Sequence, residues 1–156
     1  MRFCAANTVA DVLVDAGALI ALLDRDDAEH DRSVEALKGI REPLATVWPA
    51  LTEAMHLLAD TRNGRDELCD MVSDGVLKLL PLDTADIRRM KELMRKYRDV
   101  PMDLADAALV CVAERDQLRR IFTFDSDFDI YRLQRRMRFI VLPIPNHSRN
   151  KGSSRS

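Results

Sequence analysis

Six carboxylates recur where a pocket would need them: Asp15, Glu53, Asp103, Asp106, Asp125 and Asp127. Asp15 closes the apolar run Val12-Leu13-Val14, and Asp125 and Asp127 follow a second run, Ile121-Phe122-Thr123-Phe124. Glu53 lies in the apolar helical pattern from Pro49 to Leu58, and Asp103 and Asp106 in the one from Met102 to Val110. Acids at strand ends and inside apolar helices are costly to gather unless something offsets their like charge. A hard divalent cation does so, because magnesium and manganese take oxygen ligands. The chemistry indicated is metal-assisted phosphoester cleavage, in which the ion activates a water and stabilises charge on phosphate.

Each acid also has a plainer explanation. Asp103 and Asp106 are three apart, so a helix points both the same way, in a first turn whose dipole favours negative charge. Asp103 reads equally well as a helix cap. Asp106 sits among Leu104, Ala105, Ala107, Ala108 and Leu109, an unexpected place for a solvated acid. Glu53 can be an exposed helical residue, Asp15 a strand-end turn residue, and Asp125 and Asp127 loop caps. Thr123 falls on the same side of a strand as Asp125. Its hydroxyl either orients a carboxylate or touches substrate, or it is an ordinary strand threonine; Thr46 invites the same choice. His56, three residues after Glu53, reads as half-buried packing, and His30, His56 and His147 lack zinc spacing.

The elements that must position these residues alternate. Strands are expected over 11–15, 43–48, 76–80, 120–124 and 138–142. Helices are expected over 17–23, 28–40, 49–60, 65–73, 83–97 and 103–116. Such alternation implies an α/β domain with a mainly parallel central sheet of about five strands flanked by helices. Ligands in these sheets bind beyond the carboxyl ends of the strands, where Asp15 and Asp125 fall. The domain should span 11–145, after an irregular extension (1–10) and before a basic tail (146–156) with nothing to bury.

The 156 residues suit one domain with a real core. With 24 basic residues against 26 acidic, net charge argues neither for nor against a nucleic-acid partner. Nineteen of the basic residues are Arg, the better bidentate phosphate ligand, although genomic composition also enriches Arg. Arg132, Arg135, Arg136 and Arg138, with Arg149, Lys151 and Arg155 behind them, are candidates for phosphate contacts at the pocket rim. Their plain alternative is a solvated basic face. Cys4, Cys69 and Cys111 are odd in number and unclustered, which fits free thiols in a reducing cytoplasm. No apolar run of 18 residues suggests membrane insertion or secretion. G-x-S-x-G, Walker A and G-x-G-x-x-G motifs are absent, which disfavours serine hydrolases, P-loop proteins and dinucleotide binders.

Val14-Asp15-Ala16-Gly17-Ala18-Leu19, Leu51-Thr52-Glu53-Ala54, Pro101-Met102-Asp103-Leu104-Ala105-Asp106 and Thr123-Phe124-Asp125-Ser126-Asp127-Phe128 occur in that order. In these segments the chain resembles the PIN-domain nucleases, in particular the VapC-type toxins of VapBC toxin–antitoxin pairs, over roughly residues 11–143. The resemblance implies a PIN-like three-layer fold and a magnesium- or manganese-dependent endoribonuclease acting on RNA. It assigns Asp15, Glu53, Asp106 and Asp125 as metal ligands, with Asp103 and Asp127 as auxiliaries, either of which would help to take a proton from the attacking water. It also implies a small antitoxin partner and a homodimer. Asp103 departs from a position that is often a small hydroxyl residue in the family. The segment Asp24–His30 looks like a family linker and is assigned no chemistry.

Two other readings compete. A docking or RNA-binding module of the same fold would not need all four principal acids, yet all four are present. A phosphorylatable receiver-like domain needs a Lys near its last strand, and Val141-Leu142-Pro143-Ile144-Pro145 has none.

Overall fold

The computed structural model describes residues 11–144, so the expected extension (1–10) and tail (146–156) lie outside the described residues. Five short apolar segments form the sheet: β1 (Val12–Val14), β2 (Leu44–Thr46), β3 (Leu77–Leu79), β4 (Arg120–Phe122) and β5 (Ile140–Leu142). Their order is β3-β2-β1-β4-β5, and every pairing is parallel. Parallel neighbours require crossovers, and six helices supply the bulk of them. These are α1 (Ala16–Leu23), α2 (His30–Lys38), α3 (Trp48–Leu57), α4 (Gly64–Ser73), α5 (Asp86–Lys96) and α6 (Leu104–Asp116).

Alternation along each strand divides the core into two layers. Leu13, Ala45 and Ile121 face the side covered by α5 and α6, where Met90, Leu93, Leu109 and Val112 are buried. Val12, Val14, Leu44 and Phe122 face the other side, packed by Leu19, Leu51, Leu58 and Leu68 of α1, α3 and α4. A sheet buried on both faces explains why its strands read as continuous apolar runs. The expected three-layer α/β architecture is the one observed. Among the described residues no helix is long and apolar enough to cross a membrane.

Element ends differ from expectation where side chains compete for the backbone. The helix expected from residue 83 starts at Asp86, because Asp83 accepts the Ala85 N–H at 2.9 Å and Asp86 accepts that of Asp83 at 3.0 Å. The first is an Asx turn and the second a capping bond, so the chain turns with the Asp86 N–H on the Asp83 carbonyl at 3.1 Å before the α-helical pattern sets in. The helix expected from residue 28 likewise starts at His30, behind an Asp27 carboxylate that accepts the Glu29 N–H at 2.8 Å. Between β4 and β5 lie two short 3-10 turns, Ser126–Asp129 and Gln134–Arg136, with a bridge between Arg132 and Arg138.

Candidate metal centre

β1 lies at the middle of the sheet, with β2 on one side and β4 on the other. The crossovers therefore leave in opposite directions and open a crevice beyond the carboxyl ends of β1 and β4. Asp15 follows β1 directly and caps α1, its Oδ1 accepting the Ala18 N–H at 2.8 Å. The Thr123 hydroxyl donates to Asp15 Oδ2 and accepts the Asp125 N–H at 2.9 Å. One hydroxyl thus ties the ends of two neighbouring strands together. Asp15 and Thr123 are both buried, so Thr123 orients a carboxylate. Thr46 is also buried and donates to the Val14 carbonyl at 2.7 Å, so its place is in the sheet.

Asp103 caps α6, accepting the Asp106 N–H at 2.8 Å. Asp106 is held in turn by the Tyr131 hydroxyl, which donates to Oδ2 at 3.0 Å. Tyr131 is wholly buried and meets Tyr97 and Phe128 edge-on, with ring centroids 5.1 and 5.2 Å away. Sequence reasoning missed Tyr131, since no local period links it to Asp106. The one available signal was the aromatic density from Phe122 to Tyr131.

Asp15, Glu53, Asp103, Asp106 and Asp125 line one cavity of about 370 Å³. Glu53 reaches it from the exposed face of α3. Asp27 and Glu29 line it as well, although the segment carrying them was assigned no chemistry. Asp127 is not among the lining residues, and its backbone N–H donates to Asp125 Oδ1 at 2.9 Å. His56 is exposed rather than half-buried, and it too stands outside the lining.

No basic side chain is among the residues lining the cavity. Burial, the largest cause, raises the Asp15 carboxyl to about 6 despite the Thr123 and Ala18 hydrogen bonds, with Asp125 and Glu53 adding repulsion. Burial and the neighbouring Asp103 raise Asp106 further, to about 7. Glu53 is raised by burial, then by Asp103 and Asp125. Carboxylates left partly protonated by their own crowding suit a hard cation, which replaces the protons and reverses the repulsion. The donor set is all oxygen, which fits magnesium or manganese. Among the described residues no three acidic, His or Cys side chains already converge tightly enough to hold one ion. Glu53, Asp103 and Asp125 are exposed and can turn inwards by rotamer change.

None of Arg132, Arg135, Arg136 and Arg138 lines the acidic cavity. Arg132 donates to the carbonyls of Asp129, Ile130 and Tyr131, closing the 3-10 turn. Arg135 lines a separate cavity with Gln117 and Arg119, beyond the carboxyl end of α6. The chain doubles back after Phe128 to begin β5, which carries Arg135 to the carboxyl end of α6.

The PIN-domain family model matches residues 12–133. The chain belongs to the PIN-domain family. This PIN domain is 30% identical over 136 residues to ribonuclease VapC26 of Mycobacterium tuberculosis, covering 85% of the chain and 100% of that relative. Its fold is similar to the crystal structure of M. tuberculosis VapC20, a sarcin–ricin loop cleaving toxin, with a TM-score of 0.71 at 16% identity. That match covers 77% of this chain and 94% of the other. A toxin–antitoxin complex from Klebsiella pneumoniae also matches, with a TM-score of 0.59, 17% identity, and 74% and 88% coverage. At such identities these two structures speak to the fold of the PIN domain alone.

Replacing Thr123 by Val keeps its volume but removes the donor to Asp15 and the acceptor for the Asp125 N–H. Stability is expected to fall by about 1–3 kcal/mol, the cost of leaving buried polar groups unpaired. Thr123→Ser should restore most of it. Thermal melts of the three proteins check this, and a Val variant as stable as wild type would remove the bridging role.

Proposed function

We propose that this PIN domain is a divalent-metal-dependent endoribonuclease and the toxin of a toxin–antitoxin pair. The carrying observation is the gathering of seven carboxylates in one cavity, without a lining cation, at the sheet's switch point. The ribonuclease relative supports the same reading, and the toxin and the toxin–antitoxin complex share its fold. Asp15, Glu53, Asp106 and Asp125 would hold magnesium or manganese, which when bound supplies an activated water and charge stabilisation at the scissile phosphate.

The chain's own residues account for the rest. Thr123 fixes Asp15 against β4, and Tyr131 fixes Asp106. Asp103 is exposed at the cavity and keeps Oδ2 free of the cap, so it is the residue placed to take a proton from the attacking water. Asp127 stands further off and is left a minor electrostatic part.

A small antitoxin partner is part of the proposal. A second cavity of about 680 Å³ is lined by Leu23 and Leu57 with four acids, Asp24, Asp26, Asp60 and Glu67, against two arginines, Arg25 and Arg62. It suits a segment with apolar and basic side chains. The homodimer implied by the resemblance is checked by light scattering of the purified chain.

Manganese at a hundredfold excess over its Kd is expected to raise the melting temperature by about 5–10 °C at pH 7.5. EDTA should abolish both that shift and cleavage of structured RNA. Unaltered RNA cleavage in EDTA would sink the metal assignment.

A further inference from the structure

All 26 acidic residues precede Ile130, and 7 of the 24 basic residues follow it. The chain is therefore electrically divided. Its carboxylates crowd the cavity at the amino end of α6, where Asp103 and Asp106 stand. Arg119, Arg135, Arg136 and Arg138 are exposed and lie on segments that meet at the other end of that helix. No ion pair with a described carboxylate involves any of the four. Arg119 and Arg138 are neighbours, the first donating to the carbonyl of the second at 3.4 Å.

The backbone there is also unusual. Arg135 and Arg136 are consecutive residues with φ of 59° and 58°. This left-handed region disfavours every side chain except those of Gly, Asn and Asp. Side chains kept in such a conformation point to a function served by the side chains themselves. The cavity beside them, about 320 Å³, is lined by Arg119 and Arg135 with Gln117 and Gln134, and its Glu114 is already paired with Arg89.

We infer that Arg119, Arg135, Arg136 and Arg138 form a second, phosphate-binding surface that holds the RNA at a distance from the acidic cavity. The inference rests on the ribonuclease reading for the identity of the polyanion. An acidic cavity repels phosphates, so a remote cationic patch is what would bring the substrate in and orient it. From Asp106 to Gln117 the helix rises roughly 16 Å at 1.5 Å per residue. An RNA arm of several base steps crosses that separation.

The test measures binding of a fluorescein-labelled 30-nucleotide RNA stem-loop in EDTA across 50–300 mM salt. Four phosphate contacts predict a log–log salt slope of about −3 for the wild type. Arg135→Gly/Arg136→Gly should make the slope shallower by about 1.4 and weaken stem-loop binding about fivefold or more at 100 mM salt. Both glycines relieve the left-handed backbone, so the melting temperature should hold or rise while affinity falls. A purely structural role predicts the reverse. Arg135→Glu/Arg136→Glu should weaken binding further. Unchanged stem-loop affinity and slope would overturn the inference. If binding of poly-glutamate were lost at the same time, the patch would belong to an acidic protein instead. Cleavage of the same stem-loop by the wild type in manganese tests the ribonuclease reading separately.

Discussion

Asp106→Asn is expected to abolish RNA cleavage, by at least ~10²-fold, and at the same time to stabilise the metal-free protein at pH 8. The Asp106 carboxyl titrates near 7 in the folded chain, against 3.8 for an unburied one. Below about pH 4 both states are protonated and the residue has no effect on folding. As pH rises towards 7, the unfolded chain releases the proton while the folded chain keeps it, so stability falls across that window and levels off above it. Discounted for partial exposure, the loss is about 1–2 kcal/mol. Asn cannot titrate, and its amide oxygen can still accept the Tyr131 hydroxyl. The variant should therefore melt about 3–6 °C above wild type at pH 8 and level with it near pH 4. Manganese should reverse the order by stabilising only the wild type. Calorimetry at both pH values decides this, and a variant that cleaves RNA at the wild-type rate would remove Asp106 from the site.

The largest loss of stability is expected far from the cavity, at Arg89. Its guanidinium makes two 2.8 Å hydrogen bonds to the Glu114 carboxylate, joining α5 to α6. The Glu114 side chain is only 3% exposed, so this carboxylate depends on its partner. Those bonds, and the charge behind them, raise the pKa of Arg89. Arg89→Met leaves a buried, unpaired charge and should cost about 2–4 kcal/mol, or roughly 6–12 °C of melting temperature. Adding Glu114→Leu removes the stranded charge and should recover most of the loss. A double variant as unstable as the single one would show that packing of the Arg89 stem, rather than the ion pair, was lost.

The fold was readable because each buried strand is a short apolar run and each crossover helix carries its own start signal. The spatial order of the strands was not, since β1 finds its neighbours 30 and more than 100 residues away in the chain. The same distinction divides the site. Asp15, Glu53, Asp106 and Asp125 could be singled out because apolar surroundings made each of them conspicuous. Tyr131, Asp27 and Glu29 reach the site only through tertiary contacts, which no periodicity records. The arginines after Tyr131 were expected at the rim because the acidic motifs themselves carry no cation. The return of the chain to the start of β5 instead places Arg135 beyond the carboxyl end of α6, while Arg132 stays on the turn after Asp129.

The caps described above limit what the site can accept. Asp103 and Asp125 each commit Oδ1 to a nearby backbone N–H, Asp106 commits Oδ2 to Tyr131, and Asp15 has both oxygens engaged, by Ala18 and Thr123. A carboxylate with one oxygen engaged presents the other singly. Large ions such as calcium fill their seven or eight positions partly through two-oxygen carboxylate contacts, whereas magnesium takes six ligands one oxygen at a time. If the proposed ion binds here, the hydrogen bonds that start the helices would therefore favour a small one.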